Sequence, residues 1–189
     1  MLVLSPRIGQ LAGRRGPRLF MTLGPMGIAA GLLLLTRLSP DSTYLEELLP
    51  GVVVLGLGLA TTVAPLTDTV VSAVPEGRAG VAAAFNNVVS RVAALLAVAG
   101  LGVILSGVFT TALSRRAADL DLTPAQSETL SQIAGDPTGG ADVSQLPEGA
   151  ELAVNQAYTR AFRWVMAVTA GVAFIAGLVA AVTIRNAGK

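Results

Sequence analysis

Two ionisable residues stand inside long apolar stretches of the sequence, where a charge is energetically costly. Asp68 lies in the stretch 48–74, and Arg91 lies well inside the stretch that begins near Ala79. An acid in an apolar environment can take up and release a proton, and a neighbouring arginine tunes its protonation. The asparagines before Arg91 add hydrogen-bonding groups. We therefore expect an intramembrane polar or proton site made of Asp68, Asn86, Asn87 and Arg91.

The same residues also allow a structural interpretation. Asp68 and Arg91 fall on consecutive, antiparallel helices, so the two side chains are expected to approach each other as an ion pair. Alternatively, Asn86, Asn87 and backbone carbonyls satisfy Arg91, which then has a structural or gating role.

Residue types that are missing from the chain exclude several classes of function. The chain has no histidine and no cysteine, which excludes the usual zinc sites and the His-dependent nucleophilic triads. No phosphate-binding loop is present, and no third glycine follows Gly56 and Gly58 to make a dinucleotide fingerprint. We expect no enzyme activity, no cofactor and no metal. A net charge of +1 provides no basic field for nucleic acid.

The elements that position these residues are four apolar segments. Of the 189 residues, 52% are hydrophobic and only 13% are charged, which is too little charge to cover a soluble domain. A helix crosses the bilayer hydrocarbon with roughly 20 apolar residues. Segments of this kind run over 19–36, 48–74, 79–114 and 164–184. The prediction is an all-α polytopic membrane protein with four transmembrane helices.

Basic residues set the expected orientation. The tail before the first helix holds Arg7, Arg14, Arg15 and Arg18 and no acid. Because basic segments stay in the cytoplasm, we expect both termini there and the protein in the plasma membrane. The chain then divides into a cytoplasmic loop segment, three transmembrane helices, an extracytoplasmic loop, and the last helix with its tail: 1–18, 19–114, 115–163 and 164–189.

The polar segment 115–163 carries its own helix signals. Thr123 with Gln126 forms a capping box, and Pro124 occupies the first helical position. A short helix is expected from there to Ile133, ending at Gly135. Another helix is expected to start at Pro147-Glu148 and continue into the last span.

Glycines inside the spans predict close helix contacts. Gly27 and Gly31 are four residues apart, a spacing that lets two backbones approach in a membrane. Further small positions are Gly56, Gly58, Gly100, Gly102 and Gly107.

The segment before the first helix carries the most specific motif, Gly-Gln-Leu-Ala-Gly-Arg-Arg-Gly-Pro-Arg over 9–18. It resembles the cytoplasmic loop signature of the major facilitator superfamily, G-x-L-A-D-R-x-G-R-K, with Gly13 at the position of the usual Asp. In that family the loop is linked to gating, and its arginines can meet helix C-termini. The residues on matching positions are Gly9, Leu11, Ala12, Arg14, Gly16 and Arg18.

A second series of motifs, from the turn 75–80 to Arg91, resembles the fourteen-helix drug:proton antiporter branch of that superfamily. Its penultimate hairpin has a Pro-x-x-x-Ala-Gly turn before a helix with Asn and Arg, as in 75–80 followed by Asn86 and Arg91. The resemblance implies that this chain is the C-terminal part, about the last four helices, of a proton-driven exporter of small amphipathic compounds. In this family the main acidic coupling residues tend to lie in the N-terminal half.

The resemblance also implies the partners. They are the lipid bilayer, a small-molecule substrate, protons and the N-terminal transporter helices. Four helices cannot form both sides of an alternating-access site, so the chain is expected to be inactive alone. The alternative is a stand-alone small membrane protein that acts as an oligomeric or accessory subunit. The absence of the helix that normally precedes the loop motif favours the fragment.

Overall fold

A computed structural model of the chain describes residues 17–38, 44–72, 74–118, 120, 122–136, 143 and 146–184. Over these ranges the secondary structure is helical, without strands. The α-helices are α1 (Pro17–Leu35), α2 (Leu49–Ser72), α3 (Ala79–Ala117), α4 (Pro124–Gly135) and α5 (Glu148–Thr183). A π-helical turn, Tyr44–Leu48, precedes α2, and a 3-10 turn, Glu76–Arg78, precedes α3.

Four helices in the described part of the chain are long and apolar enough to cross a membrane. They are α1, α2 (with the π-helical turn before it), α3 and α5, and they match the four expected spans. Helices suit this environment because hydrocarbon offers no partner to backbone N–H and C=O groups, which a helix satisfies internally. The predicted all-α polytopic fold is confirmed.

Helix α5 is longer than the apolar run alone predicts. It begins at Glu148, as the start signal at Pro147 indicates, and reaches Trp164 without a break. At ~1.5 Å per residue, its 36 residues extend about 54 Å, roughly 24 Å more than the hydrocarbon of a bilayer. Helix α3, with 39 residues, is also too long for the hydrocarbon alone. We infer that the end of α3 and the first half of α5 project beyond the membrane on one side.

The projecting ends of α3 and α5 form a hydrophobic cluster with α4. Phe109 and Leu113 of α3 pack with Val154 of α5, and Leu130 of α4 closes the cluster. Alanines of α5 that are buried in it let the neighbouring helices come close; they are Ala150, Ala153, Ala157 and Ala161. Most of the described residues over 115–163 are therefore helical, and these helices pack against one another.

Helix α4 begins at the predicted capping box. The Thr123 hydroxyl accepts a hydrogen bond from the Gln126 backbone N–H, with 3.4 Å between the heavy atoms, and the Gln126 side chain accepts one from the Thr123 N–H at 3.0 Å. These two bonds satisfy donors that the first turn of a helix leaves free. The start at Pro124 and the end at Gly135 are both confirmed.

Helices α1 and α2 pack antiparallel with their backbones in contact. A Cβ atom added to Gly31 would lie 2.6 Å from the backbone nitrogen of Leu55, and one added to Gly58 would lie 2.5 Å from that of Ile28. A Cβ atom on Gly27 would lie 3.2 Å from the Gly58 Cα. The predicted close contact at Gly27 and Gly31 is confirmed, because only glycine leaves room for this approach.

Four other glycines in the spans do not make the close helix contacts with described residues that the sequence predicts. A Cβ atom added to Gly56, Gly100, Gly102 or Gly107 would meet no described atom within 4 Å. These positions make no close contact with the helices that the structure describes, so glycine spacing alone overestimates the packing within this chain.

Helix α5 packs antiparallel against α1. Ala170 of α5 is buried against Ala29 and Leu32 of α1. At one end of this contact, the Arg18 Nε donates a hydrogen bond to the carbonyl oxygen of Ala181 at 2.9 Å. The start of α1 and the end of α5 therefore lie on the same side of the membrane, opposite α4.

We expect Gly31→Leu to separate α1 from α2 and to lower the free energy of unfolding by about 1–3 kcal/mol, the usual effect of overpacking. The measurement is unfolding of the purified chain in detergent. The matched control is Gly56→Leu, where the added side chain meets open space. Equal losses in the two variants would contradict the described contact.

Candidate functional site

The N-terminal half of α3 carries the polar residues that the sequence singles out. Asn87 and Arg91 are four residues apart and share one face; both are exposed, while Asn86 is half-buried. No residue of α3 over 79–108 is buried, and even Leu95 is 72% exposed. This stretch of α3 is thus left uncovered by the described helices of the chain.

Arg91 is not satisfied within the described part of the chain. Its guanidinium makes no hydrogen bond or ion pair with any residue there. Arg91 is exposed because α3 buries side chains against its described neighbours only near its C-terminal end, at Phe109, Ala112 and Leu113. Helix α2 carries the backbone of Asp68, but the Asp68 side chain lies outside the described residues, so the Asp68–Arg91 pair stays a prediction.

The loop motif is described only at its last residue. The matching residues that lie outside the described ranges are Gly9, Leu11, Ala12, Arg14 and Gly16. Arg18 contacts the last turn of α5 through the Ala181 carbonyl. The final carbonyls of a helix lack helical partners and carry the negative end of its dipole. One arginine of this motif, Arg18, thus contacts a helix C-terminus.

A basic groove between α3 and α5 was not expected from the sequence. It has a volume of about 260 Å³, and we define it by Thr111 and Arg115 on α3 and Arg160 and Trp164 on α5. It lies where both helices leave the membrane, next to the hydrophobic cluster. The sequence signal was present as basic residues at both ends of the polar segment, but only helix packing brings Arg115 and Arg160 together.

The four arginines around this groove differ in their contacts. Arg116 donates a hydrogen bond to the Gln156 side chain at 2.9 Å, and Arg163 donates to the carbonyl of Leu38 at 3.1 Å. Arg115 and Arg160, in contrast, are exposed and bond to no described residue. Two positive charges in the groove are therefore free of described partners.

Comparison with known proteins identifies the family. Residues 1–98 match the profile of the Major Facilitator Superfamily. The chain is 37% identical over 100 residues to the puromycin resistance protein pur8 of Streptomyces alboniger, covering 52% of this chain and 20% of that protein. It is 29% identical over 131 residues to the multidrug resistance protein Stp of Mycobacterium tuberculosis, covering 69% and 24%.

The chain thus spans about a fifth to a quarter of the length of these relatives. No solved structure matches it. The family profile covers just over half of the chain. The four helices of the described chain that are long and apolar enough to cross a membrane agree with that match. The chain belongs to the Major Facilitator Superfamily.

Proposed function

We propose that this chain is the C-terminal part of a secondary transporter that exports small amphipathic compounds in exchange for protons. The observation that carries the proposal is the family match together with two relatives named for puromycin resistance and multidrug resistance. In this family two helix bundles rock around a site near the membrane midplane. The four helices here supply part of one bundle, which makes the chain a transporter component and not an enzyme.

The uncovered stretch of α3 supports the need for further helices. Arg91 is exposed on the apolar stretch of α3 that the described helices leave uncovered, and an arginine that faces hydrocarbon is costly. Helices from outside this chain that approach α3 remove that cost by offering acceptors to Arg91. The face of Asn87 and Arg91 therefore points toward the rest of the transporter, and the chain alone does not transport.

We propose roles in transport for the polar residues of α2 and α3 and for the loop motif. Asp68 takes up and releases a proton, and Arg91 tunes it or serves as a structural or gating residue. Asn86 and Asn87 supply hydrogen-bonding groups beside Arg91. The loop motif that ends at Arg18 contributes to gating, in keeping with the bond from Arg18 to the end of α5.

Both termini are proposed to lie in the cytoplasm of a cell whose plasma membrane holds the protein. The arginines before α1 support this orientation. It places α4 on the extracytoplasmic side.

The orientation is tested by cysteine labelling in intact cells, since the chain has no cysteine of its own. Ser127→Cys lies at an exposed position of α4 and should react with an impermeant thiol reagent. Ser5→Cys, in the N-terminal tail, should react only after the cells are permeabilised. The reverse pattern would show that the protein is inserted the other way round.

We propose that transport requires the remaining helices. Efflux-deficient cells that express this chain alone should therefore retain the same amount of ethidium as cells that carry an empty vector. A chimera in which this chain replaces the 131 aligned residues of Stp should export ethidium, and a protonophore should stop the export. The assay is ethidium fluorescence, with membrane insertion checked by immunoblot. Proton-dependent export by the chain alone, or an inserted chimera without export, would contradict the proposal.

Arg91→Gln should have a small effect on the stability of the isolated chain and a large effect on export by the chimera. In the isolated chain it should change the free energy of unfolding by less than about 0.5 kcal/mol, as for surface positions, because Arg91 has no described partner. In the chimera it should lower ethidium export at least tenfold, and Arg91→Lys, which keeps the charge, should retain part of the export.

A double-mutant cycle separates the two roles of Asp68. If Asp68 pairs with Arg91, then Asp68→Asn and Arg91→Gln together should impair export less than the sum of the single effects. Additive effects would rule out the pair and leave Asp68 available for the proton role.

A further inference from the structure

We propose that the basic groove binds the phosphate of an anionic phospholipid headgroup. The groove is formed by Arg115 of α3 and by Arg160 and Trp164 of α5. This site is independent of the transport proposed above, since it requires only the described helices.

The groove lies at the depth of lipid headgroups. Arg163, one residue before Trp164, bonds to the Leu38 carbonyl just past the end of α1. Helix α1 has 19 residues and is about 28 Å long, close to the ~30 Å of hydrocarbon. The end of α1 therefore marks the membrane surface, and the groove lies at that surface. Trp164 is half-exposed there, as expected of a tryptophan in the interfacial belt.

The charge of the groove fits a phosphate. Its lining includes two arginines and no acidic residue among the described ones, and neither arginine bonds to a described residue. A guanidinium offers a planar fork of N–H donors that matches phosphate oxygens.

An apolar surface for acyl chains continues from the groove into the membrane. On α3, Val103 is 74% exposed, four residues below Gly107 of the groove. On α5, Val172 and Ile175 are exposed along the side that carries Trp164. A free phosphate ion gains no binding energy from these apolar side chains, whereas a phospholipid covers both the charges and the apolar side chains. These observations favour a lipid over the free ion.

Trp164 is the one tryptophan in the sequence, so its fluorescence reports on the groove. The chain is reconstituted in phosphatidylcholine mixed with phosphatidylglycerol, with bromine on the acyl chains of one lipid at a time. We expect quenching to reveal a local preference for phosphatidylglycerol of roughly fivefold for each arginine involved. Equal quenching by the two lipids at equal mole fraction would overturn the proposal.

Substitutions identify the groove as the source of the preference. Arg115→Gln with Arg160→Gln should remove it, whereas the control Arg37→Gln, an exposed arginine near the same surface that does not line the groove, should leave it intact. Circular dichroism verifies that each variant keeps its helices, and single substitutions replace the double one if it unfolds. A preference that survives both groove substitutions, or that falls equally with Arg37→Gln, would show general surface charge to be responsible.

Inorganic phosphate distinguishes the two sources of the ligand. Phosphate added at constant ionic strength, with chloride as the control, should not displace phosphatidylglycerol. Loss of the lipid preference in phosphate alone would assign the groove to the free ion and overturn the lipid proposal.

Discussion

Helices in hydrocarbon gain little by burying one apolar side chain against another, because lipid tails are just as apolar, so shape complementarity holds them together. In this protein the requirement is met where α1 and α2 cross. Gly31 and Gly58 bring the two backbones so close that a single added carbon would collide with the facing chain. The packing of α5 against α1 also uses small residues, with Ala170 buried against Ala29.

Beyond the membrane surface the driving force changes. There the hydrophobic effect acts in full, and the ends of α3 and α5 bury large side chains such as Phe109, Leu113 and Val154 under α4. The chain therefore has two kinds of packing, small-residue contact within the bilayer and a conventional hydrophobic cluster above it. Helix α5 takes part in both, and this explains why it extends well past the hydrocarbon.

Arginines connect the two regions to the membrane surfaces. Arg18 and Arg163 each bond to a backbone carbonyl at a helix end, and they do so at opposite sides of the bilayer. The bond from Arg18 satisfies a carbonyl that the end of α5 leaves free, and the bond from Arg163 satisfies a carbonyl just past the end of α1. Arg91, Arg115 and Arg160 have no such partner among the described residues. We propose further helices of the transporter as the partners of Arg91 and a lipid phosphate as the partner of Arg115 and Arg160.

The sequence by itself determined the class of the protein, the four spans and the capped helix α4. These features depend on local composition: a run of about 20 apolar residues must be helical in hydrocarbon, and the Thr123–Gln126 capping box satisfies its own helix start. The family resemblance was also readable, because the loop motif and the turn 75–80 are contiguous in sequence.

Only the tertiary structure decided which residues face one another. Gly31 and Gly56 look alike in sequence, yet one lies against Leu55 and the other faces open space, because the rotation of each helix is set by all its contacts together. For the same reason Arg115 and Arg160, 45 positions apart in the printed sequence, meet in one groove. Arg91 is exposed because the described neighbours of α3 bury its side chains only near the C-terminal end of that helix.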